Sequence, residues 1–497
     1  MKKIILTLGL VICIWSRPLF ADVDKDIDVR EVQTLLADLC FNPGPIDGLW
    51  GKKTERAVKD LWGSVKGDYD GQFDLIDLRF LREYPHWHGR KNCAAKLSEK
   101  EIHYFDHCCE IPDSTEWQPN DATLSYYYKQ TTNKRHHTRQ MYKVSPSANP
   151  LQFKKSLEKH PFIDQQMASE TILSYLYYDN GRVIYDALPP DGRFDVNFNN
   201  GSYFPSHSMG KSITSYLVGH AICQGYISSI DAPIGDWPLM ENTLYYGQPL
   251  IKLLNMQAGD AHIVKPGEGR FIKTGRHIHN GAALLMAVRN PLELKNTKKK
   301  GGAQYAYSNL AADIIFNYIM HRVGKDFDSF ISNFYKNKVK IEYPVYLWMN
   351  QVNPPSTKNR IEQGAGQYGI FATRYDFLRI AKAIMDDWQN DTCEGQYLKE
   401  VYRRSISKNN RSERWDSSDR RWGNAEFGRL TRRYGGQFHL DVVGLRDREI
   451  LVMNGANGQQ IAIDMDSSRI VVISAVKSND YDTYRLGFQP IKYGRIK

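Results

Sequence analysis

Apolar and polar positions alternate along the chain with periods that change from region to region. A 12-residue apolar run at 4–15 follows Lys2 and Lys3 and is too short to span a bilayer comfortably. Val32, Leu35, Leu36 and Leu39 recur at helical spacing. The chain then breaks at Pro43-Gly44-Pro45 and turns through Asp47-Gly48. A second helix is expected to open at Thr54 as its N-cap, carrying Ala57, Val58 and Leu61 inward, and a third to run from about Phe73 to Leu81. Further on, residues 171–187 read as two short strands around Asp179-Asn180-Gly181. Three more strands are expected in EILVMNG, QQIAIDMD and RIVVISA near the C-terminus. Between them, an apolar helix starts at Ser208 and stops at Gly225, and another runs from Leu310 to Val323 and closes at Gly324.

These elements predict an α+β chain. Its large part is an antiparallel sheet flanked by helices, with an inserted helical subdomain, and a small three-helix domain precedes it. The expected divisions are 1–21, 22–84, a Cys- and His-containing linker region at 85–150, and 151–497. The first segment reads as a secretory signal peptide: a basic start, a short apolar core and Ala21 before Asp22. That predicts a periplasmic or secreted protein with no stable membrane span once the signal is removed.

At 497 residues, 41% hydrophobic and 25% charged, the chain has a globular balance that excludes wholesale disorder and a polytopic membrane protein. The net charge of +10 becomes +7 without Lys2, Lys3 and Arg17. This surplus lacks the concentrated basic face that nucleic-acid binding requires. The segment 401–433 holds ten Lys or Arg against four Asp or Glu. It reads as a solvated surface loop, with a cleft-bordering role as the alternative. Six cysteines remain after residue 21, an even number in a disulfide-permissive setting. Cys93, Cys108 and Cys109 are close enough in sequence for one local bridge, whereas Cys40 and Cys223 sit in apolar helical patterns and read as buried thiols. His86, His88, His103, His107, His136 and His137 lie near the cysteine cluster. Their spacing matches no two-plus-two zinc pattern, so no metal is expected.

The candidate chemistry starts at Ser208-Met209-Gly210-Lys211. Positions three apart share one helix face, so the Lys211 amine can approach the Ser208 hydroxyl. A serine needs a nearby base to become a nucleophile, and a desolvated lysine can serve. About 100 residues later, Tyr307-Ser308-Asn309 precedes the second apolar helix. Ser308 or Asn309 can cap that helix, which leaves the Tyr307 phenol free to relay protons. Asn454 to Gln460 joins two late strands, and there the backbone N–H groups of Ala456 and Ser208 could form an oxyanion hole.

Two resemblances follow from these residues. VREVQTLLADLCFNPGPIDGLWGKKTERAVKDLW closely resembles the small peptidoglycan-binding domain of bacterial cell-wall hydrolases, on Val32-Gln33, Gly44-Pro45-Ile46-Asp47-Gly48, Trp50-Gly51, Thr54 and Ala57-Val58. It implies peptidoglycan as a partner. SHSMGKSITS, YAYSNLAADIIFNYI, GQYGIFATRYDFLRIAKAI and GANGQQIAIDMDSSRIVVISA together resemble the serine β-lactamase and penicillin-binding-protein superfamily, nearest to its class C β-lactamase, esterase and 6-aminohexanoate-oligomer hydrolase branch. That resemblance implies Ser208 as the acylated nucleophile, Lys211 as base or electrostatic partner, Tyr307 as proton carrier and Asn309 as a hydrogen-bonding partner of the substrate, with Gly455 and Ala456 beside it and no cofactor. One departure stands out. The superfamily's third motif usually carries a cation, in Lys-Thr-Gly or His-x-Gly, whereas this chain has Met453-Asn454-Gly455. The departure favours a small ester or amide substrate. The alternatives are β-lactamase or D-Ala-D-Ala carboxypeptidase activity, or a non-catalytic wall-binding protein.

Overall fold

The computed structural model describes residues 22–23, 27–39, 41–64, 69, 71–88, 141–191, 193, 197–241, 243–259, 305–349, 356–362, 364–408, 430–476 and 481–497. The signal-like run, Cys40, Cys93, Cys108, Cys109, His103, His107, His136, His137 and most of the basic segment after Lys408 lie outside them. The chain divides into two compact units, one within residues 1–85 and the other within 96–497.

The first unit contains helices α1 (Val29–Asp38), α2 (Lys52–Ser64) and α3 (Leu75–His88). Its sequence motif has a mechanical explanation. The buried Gln33 amide donates to Asp47 Oδ1 and to the Leu49 carbonyl, both at 3.0 Å, and its oxygen accepts the Gly48 N–H at 2.8 Å. Gly48 sits at φ +79°, a conformation that glycine adopts without penalty. Thr54 is not the N-cap. The helix begins at Lys52, and the Thr54 hydroxyl is turned inward, donating to the Pro43 carbonyl at 3.0 Å. The side chain therefore closes the preceding loop rather than the helix end.

In the second unit the strands are β1 (Met141–Val144), β2 (Lys154–Lys155), β3 (Ile172–Asp179), β4 (Arg182–Ala187), β5 (Tyr203–Pro205), β6 (Val345–Met349), β7 (Gly366–Thr373), β8 (Ile406–Ser407), β9 (Thr431–Gly435), β10 (Phe438–Val442), β11 (Ile450–Gly455), β12 (Gln459–Asp464) and β13 (Arg469–Ala475). Among the described residues, the larger sheet runs β8-β9-β10-β11-β12-β13-β3-β4-β2. Its neighbours are antiparallel except for the β2–β4 pair. The β3–β4 hairpin turns through Asn180 and Gly181, both at positive φ, as its sequence predicts. Both faces of this sheet are covered. Leu176, Tyr178, Leu451, Met453 and Val472 join one core, while Tyr175, Tyr177, Val452, Val471 and Ile473 join the other. Double burial explains why these strands read as near-continuous apolar runs.

A smaller sheet, β1-β6-β7-β5, is an addition to the expected architecture. It overturns the linker reading at residues 141–144. Met141 to Val144 pair with Val345 to Trp348, Val144 is buried, and the Tyr142 hydroxyl donates to Asp328 at 2.6 Å.

Helices α4 (Met209–Cys223), α5 (Asn309–Val323), α6 (Arg374–Gln389) and α7 (Cys393–Arg403) build the layer that carries the candidate residues. Every residue of α4 from Met209 to Ala221 is buried, as an apolar-all-round helix requires. Its buried polar side chains are paired. Ser212 donates to the Gln437 carbonyl at 2.6 Å, Ser215 shares a hydrogen bond with the Tyr397 hydroxyl at 2.7 Å, and Tyr216 donates to Asp387. His220 meets Glu394 at 2.9 Å. Cys223 is not a thiol. It is bonded to Cys393, with the two Cα atoms 5.8 Å apart, because the last residue of α4 and the first of α7 meet.

That bond closes a loop with a sequence separation of 170 residues. Reducing it, or introducing Cys393→Ser, is expected to lower stability by about 2–4 kcal/mol, read as a fall in Tm by calorimetry with and without reductant. An unchanged Tm would show that the α4–α7 packing holds without the bond.

Candidate active site

Strand β5 delivers the chain to Ser208. The Ser206 N–H donates to the Ile370 carbonyl at 2.8 Å, and the Ser206 hydroxyl accepts the Ile370 N–H at 3.0 Å, so this loop is locked to β7. His207 then takes φ +44° and turns the chain into α4. A Cβ at Gly210 would lie 2.1 Å from the Tyr368 carbonyl oxygen. Only the absence of a side chain there lets the first turn of α4 rest on β7.

The Ser208 hydroxyl does not cap its helix. Instead the Lys211 Nζ donates to Ser208 Oγ at 2.9 Å. Lys211 is 1% exposed. Its ammonium end sits 3.7 Å from the centre of the Tyr368 ring and 4.9 Å from that of Tyr307. Burial pulls the lysine well below its ordinary proton affinity, while the Asp313 carboxylate acts in the opposite direction. Burial, helped by the nearby Lys211 charge, also brings His207 down to about 4. The phenol of Tyr368 is pushed up by burial, and the Tyr307 and Asp313 charges add to this.

Helix α5 is capped by Ser308, whose Oγ accepts the Ala311 N–H at 3.1 Å. Asn309 is thus the first helical residue, and its Oδ1 accepts the Tyr368 hydroxyl at 3.2 Å. Tyr307 lies on the preceding loop, with its ring against Tyr434 of β9 at 6.3 Å between centres. The loop is anchored by Met256, whose carbonyl accepts the Ala306 N–H at 2.8 Å. Gly455 ends β11 against the loop that leads to Ser208. A Cβ there would stand 2.6 Å from the Ser206 carbonyl oxygen. Ala456 follows in an exposed single turn. Met453 is 0% exposed and belongs to the main core, so the third-motif position presents a buried thioether instead of a cation.

Ser208, Lys211, Tyr307 and Asn309 therefore gather around one buried amine, and Gly455 adjoins the loop that leads to it. Three neighbours escaped the sequence reading: Tyr368, Asp313 and His207. Asp313 was accessible, since it lies four residues beyond Asn309 on the same helical face. Tyr368 carried no local signal, because only the β5–β7 pairing brings it to Ser208.

Residues 25–61 match the family described as "Putative peptidoglycan binding domain". No match to the chain is found among curated proteins. Several solved structures are similar to it. One is the "Putative 6-aminohexanoate-dimer hydrolase from Bacillus anthracis", at 14% identity and TM-score 0.48, covering 75% of this chain and 94% of that one. Another is a "putative beta-lactamase from Bacteroides dorei", at 14% identity and TM-score 0.47, covering 66% and 96%. FmtA from Staphylococcus aureus aligns at 14% identity and TM-score 0.43, covering 73% and 95%. Among the described residues no helix is long and apolar enough to cross a membrane.

The Gly210 contact yields a test of the geometry. Gly210→Ala is expected to cost about 1–3 kcal/mol, the usual range for overpacking a tight interior. Chemical denaturation measures it. A neutral result would mean that α4 and β7 are not in backbone contact.

Proposed function

We propose that the chain is a serine hydrolase of the cell wall that forms an acyl-enzyme on Ser208. The observation that carries this reading is the 2.9 Å contact between a buried amine and a serine hydroxyl that no helix cap competes for. Lys211 in its neutral form takes the Ser208 proton as Oγ bonds to the substrate carbonyl carbon. The oxyanion is met by backbone N–H groups of Ser208 and Ala456 at the end of β11. Tyr307 passes a proton to the leaving group, and a water then hydrolyses the ester on Ser208. Asn309, held by Tyr368, orients the substrate. The peptidoglycan-binding match supports a substrate in or near the wall and, with it, a periplasmic or secreted protein.

The substrate class follows from charge. A carboxylate bound at the third-motif position would face Met453 without a partner, and losing one charged hydrogen bond costs about 1.5–3 kcal/mol. Esters and neutral amides are the better fit.

A fluorophosphonate probe followed by intact mass is expected to add one adduct to the wild type and none to Ser208→Ala. Labelling that survives this substitution rejects the nucleophile. Lys211→Ala and Tyr307→Phe should each slow turnover by roughly 10²–10⁴-fold. Their double variant should lose far less than the product of the two factors, since one proton path serves both. Short-chain p-nitrophenyl esters should show a higher kcat/KM than D-Ala-D-Ala peptides, and the reverse ranking would sink the substrate class. Deleting residues 22–84 should spare ester hydrolysis while abolishing pull-down by insoluble peptidoglycan. Equal pull-down would move wall binding to the second unit.

A further inference from the structure

The buried part of helix α5 carries a polar stripe at Asn309, Asp313 and Asn317, spaced four residues apart on one face. All three are buried, and all three hold β7. Asn309 Oδ1 accepts the Tyr368 hydroxyl at 3.2 Å. Asp313 Oδ1 accepts the Tyr368 N–H, also at 3.2 Å. Asn317 Oδ1 accepts the Gly366 N–H at 2.8 Å, and its Nδ2 donates to the Gly366 carbonyl at 2.7 Å. Asn317 shows that an amide oxygen is enough to receive a β7 backbone N–H. The backbone clamp therefore does not explain why position 313, which is 1% exposed, carries a charge. A buried carboxylate is costly unless a positive charge faces it.

That charge arises in the reaction. We propose that Asp313 is the counter-charge of Lys211, a positioning residue that holds the ammonium formed when Lys211 takes the Ser208 proton. The inference rests on the reading of Ser208 as nucleophile and Lys211 as base. The proton leaves Ser208 Oγ, resides on Lys211 Nζ while Oγ bonds to the carbonyl carbon, and departs with the leaving group. Asp313 gains and loses nothing. Among the described residues, the titratable groups facing Lys211 are His207 on the preceding loop, Tyr307 before α5, Tyr368 on β7 and Asp313 itself. Asp313 reaches this amine by way of Tyr368, whose N–H it accepts at 3.2 Å and whose ring centre lies 3.7 Å from Lys211 Nζ, and its carboxylate favours the charged amine, while His207 is held neutral. Burial weakens Lys211 as a base, and the carboxylate acts against that.

The test is the pH profile of kcat/KM for a neutral p-nitrophenyl ester. Its acid limb reports Lys211 losing its proton. In Asp313→Asn the oxygen that receives the Tyr368 N–H remains and the charge is gone. Its acid limb is expected to move to lower pH by about one unit, the lower end of what a nearby opposite charge produces, with a plateau reduced about tenfold. Asp313→Glu keeps the charge and should keep the limb at the wild-type position. A plateau lowered without movement of the limb assigns Asp313 a purely structural part and overturns the proposal. So does a limb that moves upward. Where Asp313→Asn does not fold, a limb in Asp313→Glu displaced to lower pH by a unit or more overturns it equally. Absence of a fluorophosphonate adduct on wild-type Ser208 would instead remove the underlying reading. An intact adduct with superimposable wild-type and Asp313→Asn profiles removes this inference alone.

Discussion

An amine taken out of water at the first turn of α4 is the constraint around which the second unit is arranged. Burying a charged ammonium costs several kcal/mol, so Lys211 is held toward its neutral form at a pH where a surface lysine is charged. Such a group stays buried only if its surroundings are rigid and close. The bare backbone at Gly210 lets β7 approach, the Tyr368 ring closes over the amine, and the Ser206 hydroxyl ties the incoming loop to Ile370. Farther along the same helix, Ser212, Ser215, Tyr216 and His220 each have a partner, and the Cys223–Cys393 bond fixes the far end. These polar side chains on α4 thus anchor the helix that carries Ser208 and Lys211.

Relationships within one element were legible in the sequence. Ser-x-x-Lys spacing puts two side chains on one face, Gly225 and Gly324 mark where helices stop, and Asn180-Gly181 turns a hairpin, because each depends on residues at most four apart. Relationships between distant segments were not legible. The smaller sheet joins segments near 142, 204, 347 and 370, and no periodicity announces it. Met141–Val144 is too short and too mixed to stand out from a polar stretch, and becomes a strand only because β6 is there to pair with it. Cys223 sits in an apolar helical pattern that suggests a buried thiol, whereas it is only half-buried and bonded to a partner 170 residues away. Thr54 had the residue type of a cap, but the nearby Pro43 carbonyl claimed its hydroxyl.

The same division applies to the candidate site. Ser208, Lys211, Tyr307 and Asn309 could be picked out because serine-lysine spacing and a residue preceding a capped helix are local features. The Tyr368 ring lies 3.7 Å from the amine, yet its position follows from long-range pairing of β7 with β5 and from its bonds to α5. The stripe on α5 lies between these cases. Its four-residue spacing is visible in the sequence, but the strand that it holds is not.

The electrostatics of the site also bear on the missing third-motif cation. A lysine or histidine near position 453 would add positive charge beside Lys211 and further depress its affinity for a proton. With Met453 buried there, Lys211 keeps the Asp313 field without that competitor, and among the described residues the groups around Ser208 are one amine, one carboxylate, phenols and a neutral imidazole. Such a balance suits a reaction in which charge appears transiently, on the oxyanion and the ammonium together. It leaves little to attract a substrate that arrives charged.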